Sequence, residues 1–263
     1  MTISKKIEGK LLIREKRFET EQLMKVKRSE EYDALEEVFD RPTLMAIYGL
    51  LNHGVIKSLY GVVSAGKESR VYHGISPQEE DLAVKIYLTG SAEFKRGMIP
   101  YIQGDSRFKS VKKDTRSLIY AWAEKEFKNL RRAYDSGVRV PKPIHVEKNI
   151  LIMEFIGDDG VAAALLKEKP PKRPVQMYKT LIQNVKTLYK KANLVHGDLS
   201  EYNIMNHNEE PVVFDIAQAV LTEHPMANQF LLRDLENLNR FFNGLGIRTR
   251  NLEKLYKWVT EDE

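Results

Sequence analysis

Apolar positions along the chain change period at Val55. Before it, Leu44, Ile47, Tyr48 and Leu51 recur at helical spacing, with Asp40 and Pro42 as a start signal and Gly54 as a stop. After it, residues 55–63, 70–75 and 82–87 are short, β-branched and aromatic, with turn residues between them. They predict an antiparallel three-stranded sheet with a glycine-containing turn at Ser64-Ala65-Gly66-Lys67. Residues 88–114 have no clear period and carry Gly90, Gly97, Pro100 and Gly104 among many charges, which predicts a long loop or flexible insert. Helical spacing returns over residues 115–134 and stops near Gly137, and the apolar run 150–156 is short enough to be a strand. Helices are then expected at 161–167, 174–192 and 225–243, the last with the stripe Leu231, Leu235, Leu238 and Phe242, ended by Gly244 and Gly246. Upstream of all this, residues 5–38 are dense in Lys, Arg and Glu around a sparse stripe that includes Leu23, Val26, Leu35 and Val38, as in an exposed, partly helical extension.

A sheet-rich first part and a helix-rich second part predict two unlike lobes rather than a doubly wound sheet. The expected class is α+β and bilobal, with a small antiparallel-sheet N-lobe and a mostly helical C-lobe. The division is a helical extension over 1–54 packed on the rest, an N-lobe over 55–156 containing the flexible insert 88–114, and a C-lobe over 157–263. Composition narrows the function classes. An apolar content of 42% over 263 residues can bury a proper core. The absence of cysteine excludes disulfides, thiolate metal sites and cysteine nucleophiles together. A net charge of +5 suits an anionic partner such as nucleotide or RNA, and equally simple solubility. The first ten residues have no apolar segment of the signal-peptide kind, and no stretch approaches a bilayer span, so a soluble, cytoplasmic chain with no membrane partner is expected.

Three separated pieces carry the chemistry, and their order matters more than any one of them. His196-Gly197-Asp198 is followed by Asn203, a spacing that puts a carboxylate and an amide oxygen on one wall of a cleft. Phosphoryl transfer needs both, the carboxylate to orient the attacking hydroxyl and the amide to hold a metal ion on the phosphates. Val212-Val213-Phe214-Asp215 reads as a buried strand delivering a second acid that can chelate magnesium. Leu82-Ala83-Val84-Lys85 reads as a strand presenting a lysine to the α- and β-phosphates. Alone, these are a surface turn, a helix cap and an edge charge. In this order they point to an ATP- and Mg2+-dependent phosphotransferase. Lys85 needs a carboxylate partner, and Glu126 sits on the apolar stripe of Trp122, Ala123, Phe127, Leu130 and Tyr134, where a charge needs compensation. Glu124 is the rival, with a spacing that points it off that stripe. The segment Ser64-Ala65-Gly66-Lys67-Glu68-Ser69 is neither the three-glycine kinase loop nor a Walker A loop, but upstream of Lys85 it is suited to cover a triphosphate.

With these residues in view, the chain resembles the RIO family of atypical protein kinases, specifically the type-one branch. The likeness runs through residues 64–69, Val84-Lys85, Glu124-Lys125-Glu126-Phe127, Met153-Glu154-Phe155-Ile156-Gly157, the ending Ser200-Glu201-Tyr202-Asn203, and Asp215-Ile216-Ala217-Gln218, and covers about residues 45–245. The resemblance implies a protein-kinase-like fold without the usual activation loop. It implies Asp198 as catalytic aspartate, Asn203 and Asp215 as ligands of Mg2+ (or Mn2+), Lys85 on the phosphates, and Ser64 and Lys67 closing over them. Met153 would stand at the back of an adenine pocket, with backbone groups of Glu154 and Ile156 facing the base. It implies autophosphorylation on serine, ATPase activity with Asp215 as the phospho-aspartate candidate, and a setting in small ribosomal subunit maturation, with the pre-ribosomal particle, its proteins or rRNA as partner. Ala65 departs from the threonine expected in many relatives. Two alternatives stand beside it. One is a small-molecule kinase of the aminoglycoside or choline type, which shares the His-Gly-Asp loop. The other is a nucleotide-regulated module docking on RNA through Lys16, Arg17, Lys25, Lys27 and Arg28 and through Lys109, Lys112 and Lys113.

Overall fold

The computed structural model describes residues 35, 38–90 and 92–261. The extension expected over 5–38 lies outside these residues, apart from Leu35 and Val38. The chain divides after Met45 into two compact units. Helix α1 (Arg41–Asn52) starts where Asp40 Oδ1 accepts the Thr43 amide at 3.1 Å, which satisfies one of the first-turn donors.

The unit from Ala46 onward opens with β1 (Ser58–Ala65), β2 (Ser69–Ile75) and β3 (Asp81–Tyr87). The expected sheet gains two strands, β4 (Pro143–Glu147) and β5 (Ile150–Glu154), in the order β1-β2-β3-β5-β4, antiparallel throughout. β3 is therefore central, and its residues from Leu82 to Tyr87 are all buried. A central strand can be apolar on both faces, which makes a lysine within it conspicuous. Its register sets Lys85 opposite Val71 and Leu151, and Ala83 opposite Met153.

The span 88–114, expected to be a long loop or flexible insert, is not loop throughout. It forms helix α2 (Ala92–Ile102) and a 3-10 turn (Ser106–Phe108). Met98 and Phe108 are buried against Ile119 and Trp122 of α3 (Thr115–Asp135), and this packing overrides the poor local signal of Gly97 and Pro100. The helix expected at 161–167 is also absent. β6 (Gly157–Asp158) and β7 (Val161–Ala162) form a small hairpin, with Asp159 and Gly160 both at positive φ. The backbone beyond bonds across to another strand, with the Leu166 amide on the Ile204 carbonyl at 2.8 Å, so no helical ladder can form.

The C-lobe follows as α4 (Pro174–Lys190), β8 (Leu194–Val195), β9 (Ile204–His207), β10 (Glu210–Val213), a 3-10 turn (Ile216–Gln218), β11 (Val220–Leu221), α5 (Ala227–Gly244) and α6 (Leu252–Thr260). Leu181 and Leu188 of α4, Leu235, Leu238 and Phe242 of α5, and Leu255 and Val259 of α6 share one apolar core. Two short antiparallel pairs, the hairpin of β9 with β10 and the ladder of β11 with β8, flank the loops 196–203 and 215–219. Among the described residues no helix is long and apolar enough to cross a membrane. The architecture is α+β and bilobal.

Candidate active site

Lys85 is almost fully enclosed, and its ammonium lies 2.9 Å from Glu126 Oε1 and 2.7 Å from Asp215 Oδ1. Burial alone would depress its pKa, but Asp215 and Glu126 more than offset this and hold it well above the ordinary lysine value. The choice between Glu126 and Glu124 is resolved by position: Glu124 is exposed and pairs with Lys128 at 2.7 Å one turn along α3. Glu126 is buried, and its second oxygen accepts the Tyr87 hydroxyl, which sequence reasoning did not single out. Burial raises the Glu126 carboxyl, with Lys85 opposing. Asp215 is held below the usual carboxylate value by Lys85, yet 44% of its side chain stays open to the cleft.

A cavity of about 220 Å3 opens beside this triad, lined by Lys67, Glu68, Lys85, Tyr87, Asp215 and Gln218 among others. Its lid is the β1–β2 turn, closed by a 2.9 Å hydrogen bond from the Gly66 amide to the Ser69 carbonyl. Lys67 lines this cavity and Ser64 does not; Ser64 is exposed on β1, opposite Val71. Met153 alternates onto the same sheet face as Lys85, being opposite Ala83, and is largely buried. Glu154 turns its carboxylate to Arg139, with two contacts of 2.7 Å, and Ile156 is buried just past β5 with its carbonyl bonded to the Ala163 amide at 2.9 Å. These three lie along β5 and just past it, outside the lining of the 220 Å3 cavity.

The loop 196–203 faces Asp215 from the helical lobe. Asn203 Nδ2 donates to the Asp198 carbonyl at 2.7 Å and approaches Asp198 Oδ2 at 3.3 Å, joining the two residues in one corner. Burial raises the Asp198 carboxyl, with Arg233 opposing and Asp215 adding to the rise. Gly197 has φ +81°, and a Cβ there would stand 3.4 Å from the Gln218 carbonyl, so glycine suits both the conformation and the close approach of the two loops. His196 is buried. Its Nε2 lies 3.2 Å from the Phe214 carbonyl, which can only accept, so Nε2 carries the hydrogen. Burial lowers its pKa to about 4 and keeps it neutral.

Several supporting residues escaped the sequence reading. Asp234 accepts the Gly197 and Leu199 amides, both at 2.8 Å. Arg233 donates to the Gly197 carbonyl. On α3, Lys125 Nζ donates to the Ala217 carbonyl at 2.7 Å, and Asn129 Nδ2 to those of Ile216 and Ala219 at 2.9 and 3.1 Å. A signal for Asp234 did exist: it falls on the stripe of Leu231, Leu235 and Leu238, the same anomaly that exposed Glu126.

Residues 70–255 match the model of the RIO domain. A RIO-type serine/threonine-protein kinase Rio1 of Haloferax volcanii is 41% identical over 240 residues, spanning 91% of this chain and 82% of its own length. The chain belongs to the RIO kinase family. The Rio1 kinase of Methanocaldococcus jannaschii is 39% identical over 89% of this RIO kinase and 79% of its own chain. Its human relative, serine/threonine-protein kinase RIO1, is 34% identical over 91% of this chain but only 43% of the human one. Among solved structures, the Rio2 kinase–ADP/Mg2+–phosphoaspartate complex from Chaetomium thermophilum superposes with a TM-score of 0.64 over 84% of this chain and 67% of that one, at 22% identity, a likeness of fold. Membership in a family of protein kinases sets aside the aminoglycoside- or choline-type alternative.

Proposed function

We infer that this RIO kinase transfers the γ-phosphoryl group of ATP, with Mg2+, to serine or threonine hydroxyls, its own included, and that it also hydrolyses ATP. The observation that carries this reading is Lys85 held between Glu126 and Asp215 at the edge of a cavity under the 64–69 turn. The donor set fits a divalent ion shared with phosphates. Among the described residues no three acids or histidines cluster as a cage, while Asn203 and the open Asp215 supply the one or two oxygen ligands that Mg2+ takes when phosphates and water complete its shell. Bound there, the ion would neutralise charge on the phosphates as the transferring group departs.

The chain's own residues then divide the work. Lys85, steadied by Glu126, binds the α- and β-phosphates, and Lys67 closes over them from the turn. Asp198 orients the acceptor hydroxyl and takes its proton as the oxygen attacks phosphorus, while the bond to the departing ADP oxygen breaks. Its raised pKa makes it a better proton acceptor than a fully solvated aspartate. Asp215 is the candidate for a phospho-aspartate intermediate in ATP hydrolysis. The adenine lies along β5, past Met153, against backbone groups of Glu154 and Ile156. The biological setting we assign is maturation of the small ribosomal subunit, with the particle, its proteins or rRNA as partner.

Transfer of label from γ-labelled ATP tests this directly. Asp198→Ala is expected to lower it by about 10²–10⁴-fold while leaving nucleotide affinity nearly intact. Unchanged transfer would remove the assignment. Base-labile label on Asp215 during turnover is expected if hydrolysis passes through the acyl phosphate.

A further inference from the structure

The outer face of α3 carries a second, larger concavity of about 550 Å3 that the phosphotransfer chemistry does not use. Its partly buried lining includes Val111, Ala121 and Val146, and its exposed lining includes Lys112, Glu124 and Lys148. The three apolar residues rest on a small cluster containing Tyr87, Phe108, Trp122 and Ala217. Three members of that cluster, Tyr87, Trp122 and Ala217, also line the inner cavity beside Lys85. One thin layer of side chains thus has the phosphate cavity on one side and this groove on the other.

Charge distinguishes the occupants. The carboxylate of Glu124 is taken up by Lys128 at 2.7 Å. Asp114 neighbours Lys112, but its carboxylate caps α3 by accepting the Ser117 amide at 2.9 Å. Among the charged lining residues Lys112 and Lys148 outnumber Glu124, which leaves the groove positive on balance. An apolar lining with two cations suits a short peptide; nucleic acid draws its affinity from a longer run of phosphate contacts. We propose that this groove docks an acidic peptide segment of a partner protein, with an aromatic or aliphatic side chain entering against Val111, Ala121 and Val146 and flanking carboxylates meeting Lys112 and Lys148. The docked segment braces α3, the helix whose opposite side presents Glu126 to Lys85 and Lys125 and Asn129 to the 216–219 turn.

The test uses the full chain without ATP, so its outcome does not depend on the phosphotransfer reading. The probe is a fluorescein-labelled pool of hexapeptides built from Asp and Glu with two Phe or Leu positions, followed by anisotropy. Saturable binding is expected, weakened roughly tenfold or more by the Lys112→Glu/Lys148→Glu variant. The same variant should gain affinity for the counterpart pool with Lys in place of the acids. Unchanged binding of a fluorescent ATP analogue shows that the variant is folded. No saturable binding up to about 1 mM, binding indifferent to charge reversal, or a larger loss of affinity for a uridine oligonucleotide than for the peptide would each overturn the proposal.

Discussion

The two loops that meet at the cleft are held by different helices, one that both accepts and donates and one that only donates. Loop 196–203 is fastened to α5 through both kinds of backbone group: the carboxylate of Asp234 takes the Gly197 and Leu199 N–H groups, while Arg233 and Asn237 donate to the Gly197 and Leu199 carbonyls. Loop 215–219 is fastened to α3 through its carbonyls, by donors from Lys125 and Asn129. The same α3 presents Glu126 to Lys85. On the proposed roles, Lys85 and the metal ligand Asp215 are therefore supported from α3, and Asp198 with the second metal ligand Asn203 from α5. The two sets meet at the Phe214 amide on the Asn203 carbonyl, at His196 against the Phe214 carbonyl and at Gly197 against Gln218. Damage to one helix should read out in nucleotide binding and damage to the other in the chemical step.

The largest separation is expected from Asp234→Ala. Stripping two buried amides of their shared acceptor, a carboxyl that burial lifts to a pKa of about 7, should cost about 3–5 kcal/mol in urea unfolding. Phosphoryl transfer should fall roughly 100-fold in single turnover, with nucleotide affinity kept. Next comes pH. His196 has a folded pKa of about 4 against an ordinary value of 6.5, so the unfolded chain binds the extra proton between those values. Stability contributed by neutral His196 is present above pH 6.5 and lost as pH falls towards 4, by about 3 kcal/mol over that window. His196→Asn should flatten this part of the stability profile. Asn129→Ala removes the side-chain donor to the Ile216 and Ala219 carbonyls; about 2 kcal/mol is expected, with KM for ATP raised roughly tenfold and kcat changed less. Glu124→Ala, two residues from Glu126 and paired only at the surface, should shift stability by about 0.5 kcal/mol or less and leave basal transfer unchanged.

What was legible in the sequence follows the reach of each signal. Lys85, Glu126, Asp198, Asn203 and Asp215 sit in short segments whose spacing alone restricts their geometry, and the structure brings them into one cleft. The strands and long helices also carry their own period. The helix in 92–102 and the turn after it were hidden because they depend on contacts with distant residues: Tyr101 stacks on Phe230 and Arg107 bonds Asn129 at 2.7 Å, while Gly97 and Pro100 weaken the local helix pattern. The 161–167 segment misled for the converse reason. Its composition suits a helix, but its amides are claimed by a hairpin and by β9. Lys125 and Asn129 were missed because their partners are backbone carbonyls about 90 residues away, which leave no mark on side-chain pattern.

The central claim is that Asp215 serves metal and nucleotide while Asp198 serves the acceptor. It is tested most directly by nucleotide affinity, measured by calorimetry with and without Mg2+, in Asp215→Asn and Asp198→Asn side by side. Both variants should lose transfer, but only Asp215→Asn should lose the gain in affinity that Mg2+ confers. Loss of that gain in Asp198→Asn, or its survival in Asp215→Asn, would contradict the division of labour.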